Sequence, residues 1–425
     1  MLETLRNAWV IKDIRKKIFF TIFIILIFRI GSVIPVPYID VAALKAANDA
    51  GTTNEFFSYL SILTGGGLEY GAIFALSVTP YINSSIIIQL LCVAIPALER
   101  LSKEGEEGQK KLAQITRIAT AVLALIQGTA YFIYLKNSKY LSVSGGATVF
   151  AGIVIVLAFT AGSTLVMWLG ERIDEKGIGN GISMLLFAGI LSRGPQAFQA
   201  LIDYWKMDRQ VAVIAIILLF LAVIMFVVWM THAERRIPVQ YAKRVVGNKM
   251  YGGQNTHIPI KVNMSGVMPI IFASSILMLP TMILSFMSNT DSSWYKFLSL
   301  FSVRGVFYAV VYFLLIIGFA YFYATIQFNP IEMANNLRKN GGAVPGIRPG
   351  KPTSDFISKI LSRITLMGAI FLSIIAILPI LVGSVGGINI SLGGTSLLIM
   401  VGVALDTVRN LESQMMMRHY KGFLD

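Results

Sequence analysis

The chain has 425 residues, of which 55% are hydrophobic and only 14% charged, and its mean hydropathy is +0.70. A water-soluble chain carries about 25% charged residues, so this composition excludes a solvated surface and makes lipid the main solvent. The net charge of +14 sits between apolar runs, which makes it a membrane-orientation signal before a nucleic-acid footprint.

A membrane span needs roughly 20 mostly apolar residues. The first candidate, 18–36, follows Lys12, Arg15, Lys16 and Lys17. It is long enough to cross and no small-residue cleavage site follows, so we expect a first membrane helix and not a removed leader. Arg29 is the one charge well inside a span. It can either serve a site or snorkel past Ser32 to the outer interface.

The next segment, 54–71, is unusual. Residues 55–64 read EFFSYLSILT, and Gly65, Gly66 and Gly67 follow. Ten helical residues cover about 15 Å, half a bilayer, and three glycines then break the helix. A short re-entrant or surface helix on the outer side is expected. Such backbone is tolerated at membrane depth only inside protein or in a water-filled cavity.

Further spans are expected at 72–95, 115–135, 149–169 and 178–191, and then at 211–231, 267–287, 306–328, 366–382 and 394–408. The fifth and tenth are short and glycine-rich. Cys92, the only cysteine, lies inside the second and reads as a small apolar packing residue. Ten spans put both termini on one side. The connections on that side hold 27 of the 36 Lys and Arg residues, so the positive-inside rule makes both termini cytoplasmic. Two connections on that side are long, 232–264 and 329–365. They are basic and rich in Gly, Pro, Asn and Gln, and they read either as a docking platform or as an orientation signal alone.

Spans two and seven resemble each other. One carries Pro80, Ile82, Ser84, Ser85 and Ile86; the other carries Pro269, Ile271, Ser274, Ser275 and Ile276. Each is the second span of a five-span half, which fits an internal repeat and equally fits chance likeness of apolar helices. A proline beside small hydroxyl residues allows close helix contact and cross-helix hydrogen bonds. The pair therefore reads as tight packing or as a seam that opens, with Gln127 and Asn263 placed to join it.

No span interior contains Asp, Glu or Lys by these limits; Asp406 falls at the end of the last. Ion-coupled transporters usually need such groups at midplane. The Gly346–Pro352 stretch lacks the spacing and the Ser/Thr of a phosphate loop, and His232, His257 and His419 all lie outside the spans. A conduit or scaffold driven by a partner remains. A secondary transporter with inverted repeats and a non-conducting scaffold are the rivals.

Eight strings run in order along the chain. They are Phe28-Arg29-Ile30-Gly31-Ser32; Pro80-Tyr81-Ile82 through Gln89; Lys103-Glu104-Gly105-Glu106 with Gly108; Gly177-Ile178-Gly179-Asn180-Gly181-Ile182-Ser183; Tyr241-Ala242-Lys243-Arg244; Pro259-Ile260-Lys261-Val262-Asn263; Val344-Pro345-Gly346-Ile347-Arg348-Pro349-Gly350; and Gly393-Gly394-Thr395-Ser396-Leu397-Leu398-Ile399. Together they closely resemble the SecY/Sec61-alpha family of protein-translocation channels.

That resemblance implies an all-α integral membrane protein of ten transmembrane helices in two five-helix halves, 1–191 and 192–425, around a central pore. It implies a ring of aliphatic side chains at the waist: Val78, Ile82, Leu186, Ile271 and Ile399. A narrow apolar ring blocks ions by dewetting and yields around a passing peptide. It further implies a lateral gate involving Thr79, Ser84, Gln127, Asn263, Ser274 and Ser275, and an outer plug at 54–71 with Phe56, Leu60, Leu63, Gly65, Gly66 and Gly67. A surface for the SecA motor or the ribosome, including possible ribosomal RNA contact, would involve Arg348, Arg235, Arg236, Lys243 and Arg244. The resemblance also implies SecE and SecG subunits, signal peptides and unfolded preproteins as cargo, no cofactor, no catalysis, and a bacterial plasma membrane location.

Overall fold

The computed structural model describes residues 9–49, 61, 64–143, 145–207, 210–241, 244–246, 249–251, 255–264, 266–286, 293–301, 305–386 and 394–421. The helices of the first half are α1 (Lys12–Gly31), α2 (Val41–Asp49), α3 (Thr79–Ala94), α4 (Pro96–Lys103), α5 (Glu106–Asn137), α6 (Ala147–Lys176) and α7 (Gly181–Leu191). The second half holds α8 (Gly194–Lys206), α9 (Gln210–His232), α10 (Met268–Phe286), α11 (Ser293–Ser299), α12 (Val306–Gln327), α13 (Pro330–Lys339), α14 (Lys351–Gly386) and α15 (Gly394–Lys421). Each of the ten expected spans falls on one of these helices.

Length and apolarity suffice for a crossing in five helical runs among the described residues: α5, α6, α9, Val306–Lys339 and Lys351–Leu378. The pair α3–α4 makes a sixth, bent by 103°. The bend has a local cause. Ile95 precedes Pro96 and adopts an extended conformation, φ −110° and ψ 113°, because the proline ring disfavours the helical region for the residue before it.

The structure corrects several expected limits. The second span does not begin as helix at Ala72: α3 starts at Thr79, and turns lead into it. The 329–365 connection is no irregular loop. It holds α13, the strand β5 (Gly342–Ala343) and the start of α14 at Lys351. The last helix continues past Val408 to Lys421. Nor is the chain wholly helical. The 232–264 connection contains β1 (Glu234–Tyr241), β2 (Arg244–Val246), β3 (Lys249–Tyr251) and β4 (Asn255–Lys261).

β1 pairs antiparallel with β4, Ile237 opposite Ile258, and with β5, Gln240 opposite Ala343. Alternation explains the strand: Ile237 and Val239 are buried while Arg236, Pro238 and Gln240 are exposed. Ile237 packs with Ile260, Val344, Leu361 and Ile364, so the sheet seats on the first turns of α14. The two long connections thus form one folded unit.

Helices pack α5 on α6, α3 on α5, α10 on α12 and α12 on α14. α10 also touches α3 and α5, while α7 touches α6 and α15. The turn into α7 is tight. Asn180 caps it, its side-chain oxygen accepting from the Ser183 amide at 3.0 Å. The Gly181 amide donates to Asp174 Oδ1 at 2.7 Å. A Cβ at Gly181 would collide with the Gly170 carbonyl of α6, so only glycine lets the two helices meet there.

Candidate functional site: an apolar waist and its outer cover

The five ring candidates come from separated stretches of chain and meet in one apolar cluster. Val78, Leu186 and Ile399 are buried in it; Ile82 and Ile271 pack against it half-buried. Val78 precedes α3 and Ile82 lies in its first turn, Leu186 is in α7, Ile271 in α10 and Ile399 in α15. Ile24, Phe28, Phe74, Val166 and Ile190 surround them. Phe28 and Phe74 stack at 6.1 Å between ring centroids, nearly parallel at 9°. The described side chains of this cluster offer no charge to water or ions.

The gate candidates other than Asn263, which lies between β4 and α10, sit on helices that meet, since α10 touches α3 and α5. Their hydroxyls are turned inward. Ser84, fully buried, donates to the Pro80 carbonyl at 2.8 Å, and Ser274 to the Ile271 carbonyl at 2.9 Å. These bonds stay within one helix instead of crossing the seam. They leave small, self-satisfied surfaces where two helices touch. Thr79 is buried, and Gln127, Asn263 and Ser275 are half-buried. Asn263 sits against α14, where a Cβ on Gly368 would meet its Cα at 3.8 Å. The Asn83 and Asn263 side-chain oxygens are buried with no partner among the described residues. Asn83 was not singled out from the sequence; an amide in a largely apolar helix was the available signal.

Of the outer segment, Phe56, Leu60 and Leu63 lie outside the described residues. Gly65 and Gly66 adopt φ of +67° and +90°, and Gly65 to Gly67 are buried. Arg29 is half-buried, and its Nη1 donates to the Gly65 carbonyl at 3.0 Å. Three further ties were not foreseen. Arg193 is ion-paired with Glu69 and donates to Ser61 Oγ at 2.7 Å. Tyr131 donates to the Leu68 carbonyl at 2.9 Å. Ser192 reaches the Gly65 carbonyl at 3.5 Å. No spacing rule joins residues 69 and 193, so the pairing is invisible in one sequence.

Among the basic candidates, Arg348 and Arg235 are exposed. Arg236 is exposed and pairs with Glu234 at 2.7 Å. Arg244 belongs to β2, and Lys243 lies outside the described residues.

The fold defines a multi-pass helical membrane protein whose α3, α7, α10 and α15 contribute side chains to one apolar cluster. A family model described as SecY matches residues 72–408, and the chain belongs to the SecY family. It is 42% identical over 437 residues to the protein translocase subunit SecY of Streptomyces coelicolor, covering 100% of both chains. Its fold matches a structure titled for the SecY plug domain, which stabilises the closed state of that channel and maintains a membrane seal. The TM-score is 0.65 with 17% identity, over 94% of this chain and 92% of that one. It also matches Sec61 in a canine ribosome–channel complex, with TM-score 0.61 and 15% identity, over 94% and 92%.

Proposed function

We propose that this chain is the pore-forming subunit of a protein-translocation channel, built from ten membrane helices in halves 1–191 and 192–425. Unfolded secretory polypeptides cross through the ring of Val78, Ile82, Leu186, Ile271 and Ile399. The observation that carries this reading is their convergence from separate helices into one apolar cluster, in a chain akin over its full length to a translocase subunit. An aliphatic constriction seals by excluding water and deforms around any side chain without sequence preference.

The seam between α3 with α5 and α10 is the lateral gate, through which signal sequences and membrane helices leave into lipid. Residues 54–71 are the plug. The chain supplies no driving energy. SecA or a ribosome docks on the β1–β4 sheet and the α13–α14 connection, where Arg348 and Arg235 are exposed. SecE and SecG complete the complex, and both termini face the cytoplasm of a bacterial cell.

The test is reconstitution with SecE and SecA in vesicles. A secretory precursor becomes protease-protected only with ATP. No protected precursor in a competent preparation overturns the reading, and counterflow of a small solute by the purified chain alone would favour a secondary transporter.

A further inference from the structure

Residues 61 and 64–69 are held by polar contacts, not by packing alone, to two helices and to the turn between α7 and α8. Arg29 of α1 donates to the Gly65 carbonyl. Tyr131 of α5 donates to the Leu68 carbonyl. Arg193, in the turn between α7 and α8, pairs with Glu69 and donates to Ser61 Oγ, while Ser61 Oγ donates to Glu69 Oε1 at 2.7 Å. Both charged side chains are largely withdrawn from solvent, with exposures of 9% for Arg193 and 18% for Glu69.

We propose that Arg193 and Glu69, seconded by Arg29, form a polar latch that positions the plug against the waist and sets how readily it leaves. This rests on reading 54–71 as the plug. A buried ion pair suits a reversible catch. Taking two charges out of water costs nearly what their attraction returns, so the pair adds little net grip once water can reach it. Removing one partner is a different matter, because the other is left buried and uncompensated. The closed seat is then penalised, while the unseated plug, with the remaining charge in water, is not. Arg193 sharpens this point: its Nε is already buried without a partner among the described residues, so its charge in the closed seat depends on Glu69 and Ser61.

Arg193 and Glu69 are positioning residues, distinct from the ring they hold covered. Their signature is non-additivity. Glu69→Gln strands the guanidinium and Arg193→Gln strands the carboxylate, whereas Glu69→Leu with Arg193→Met strands neither.

The experiment measures resting conductance of the reconstituted complex in planar bilayers, normalised to incorporated protein. A deletion of 54–71 serves as the reference for an absent plug. Each Gln variant should raise the resting open fraction about tenfold, or about 1.4 kcal/mol. The Leu/Met double should leak less than either single. Arg193→Lys keeps a cation near Glu69 and should stay within about twofold of the parent. If the Gln variants fail to accumulate in the membrane, the comparison rests on the double and Arg193→Lys: near-parental leak in both supports the latch, and either one leaking like the deletion overturns it. A double that leaks as the sum of its singles overturns the coupling. If the deletion leaks but no latch variant does, the latch falls and the plug stands. If the deletion is silent, the plug reading itself falls.

Discussion

Gly65→Ala is the sharpest test of how the outer segment is seated. Gly65 has φ +67°, a left-handed conformation that costs an L-residue about 1–2 kcal/mol. The added Cβ would lie 2.7 Å from the Gly189 carbonyl oxygen, 2.8 Å from Ser192 Oγ and 2.9 Å from Gly189 Cα. Two of these atoms are backbone of α7 and cannot rotate away, so overpacking adds about 1–3 kcal/mol. Together the seated turn loses about 2–5 kcal/mol, and every 1.4 kcal/mol is tenfold in a population. A minor unseated state commonly holds about 0.1–10% of molecules, so a loss of about 2 kcal/mol, roughly 30-fold, raises it to about 3–75%. Gly67→Ala is the internal control. Gly67 has no left-handed φ, and its Cβ would meet Ala75 Cα at 3.4 Å, an ordinary contact. In planar bilayers, Gly65→Ala should show a large resting conductance and Gly67→Ala nearly none. Equal conductance in the two variants, at equal incorporation, refutes the reasoning.

Other substitutions probe the waist, the docking face and the fold. Ile82→Gly and Ile271→Gly should each raise resting ion leak severalfold by opening a gap in the apolar ring; unchanged single-channel current removes those positions from it. Arg348→Glu should slow SecA-driven import of a precursor by roughly tenfold, since charge reversal at a docking face replaces attraction with repulsion; parental rates return that connection to an orientation signal. Gly181→Ala should destabilise the first half by about 1–3 kcal/mol through its collision with the Gly170 carbonyl. The lower Tm in detergent would be absent if α6 and α7 can separate freely.

The long apolar helices were legible because lipid demands a run of apolar residues. Thus α5, α6, α9 and α12 stand where hydropathy puts them. Limits failed where a helix leaves the apolar phase. α14 starts at Lys351 because Ile357, Leu361 and Ile364 bury one stripe while Lys359 and Arg363 stay exposed. That is a helical period with too little net apolarity to count as a span. β1 hid for a related reason: the two buried residues Ile237 and Val239 carry its alternation, and Arg235, Arg236 and Pro238 made the stretch read as a basic loop. The ring differs again. Nothing in an isoleucine at position 82 or 271 sets it apart from its lipid-facing neighbours; only the order of the motifs did. The Arg193–Glu69 pair had no signal at all, because it joins two turns far apart in the chain.

The positions of the ring candidates explain why the waist is the least span-like part of the sequence. Val78 stands just before α3 and Ile82 is its fourth residue. Ile271 is the fourth residue of α10, and Leu186 and Ile399 are the sixth of α7 and α15. Val78 caps its helix, and the other four lie within the first two turns of theirs. A helix start leaves unsatisfied amide groups, which hydrocarbon does not tolerate but a wet cavity does. These irregular starts bring the five aliphatic side chains together, and the irregularity that weakens a span search at 72–78, 178–191 and 394–408 stands where they meet in one apolar cluster.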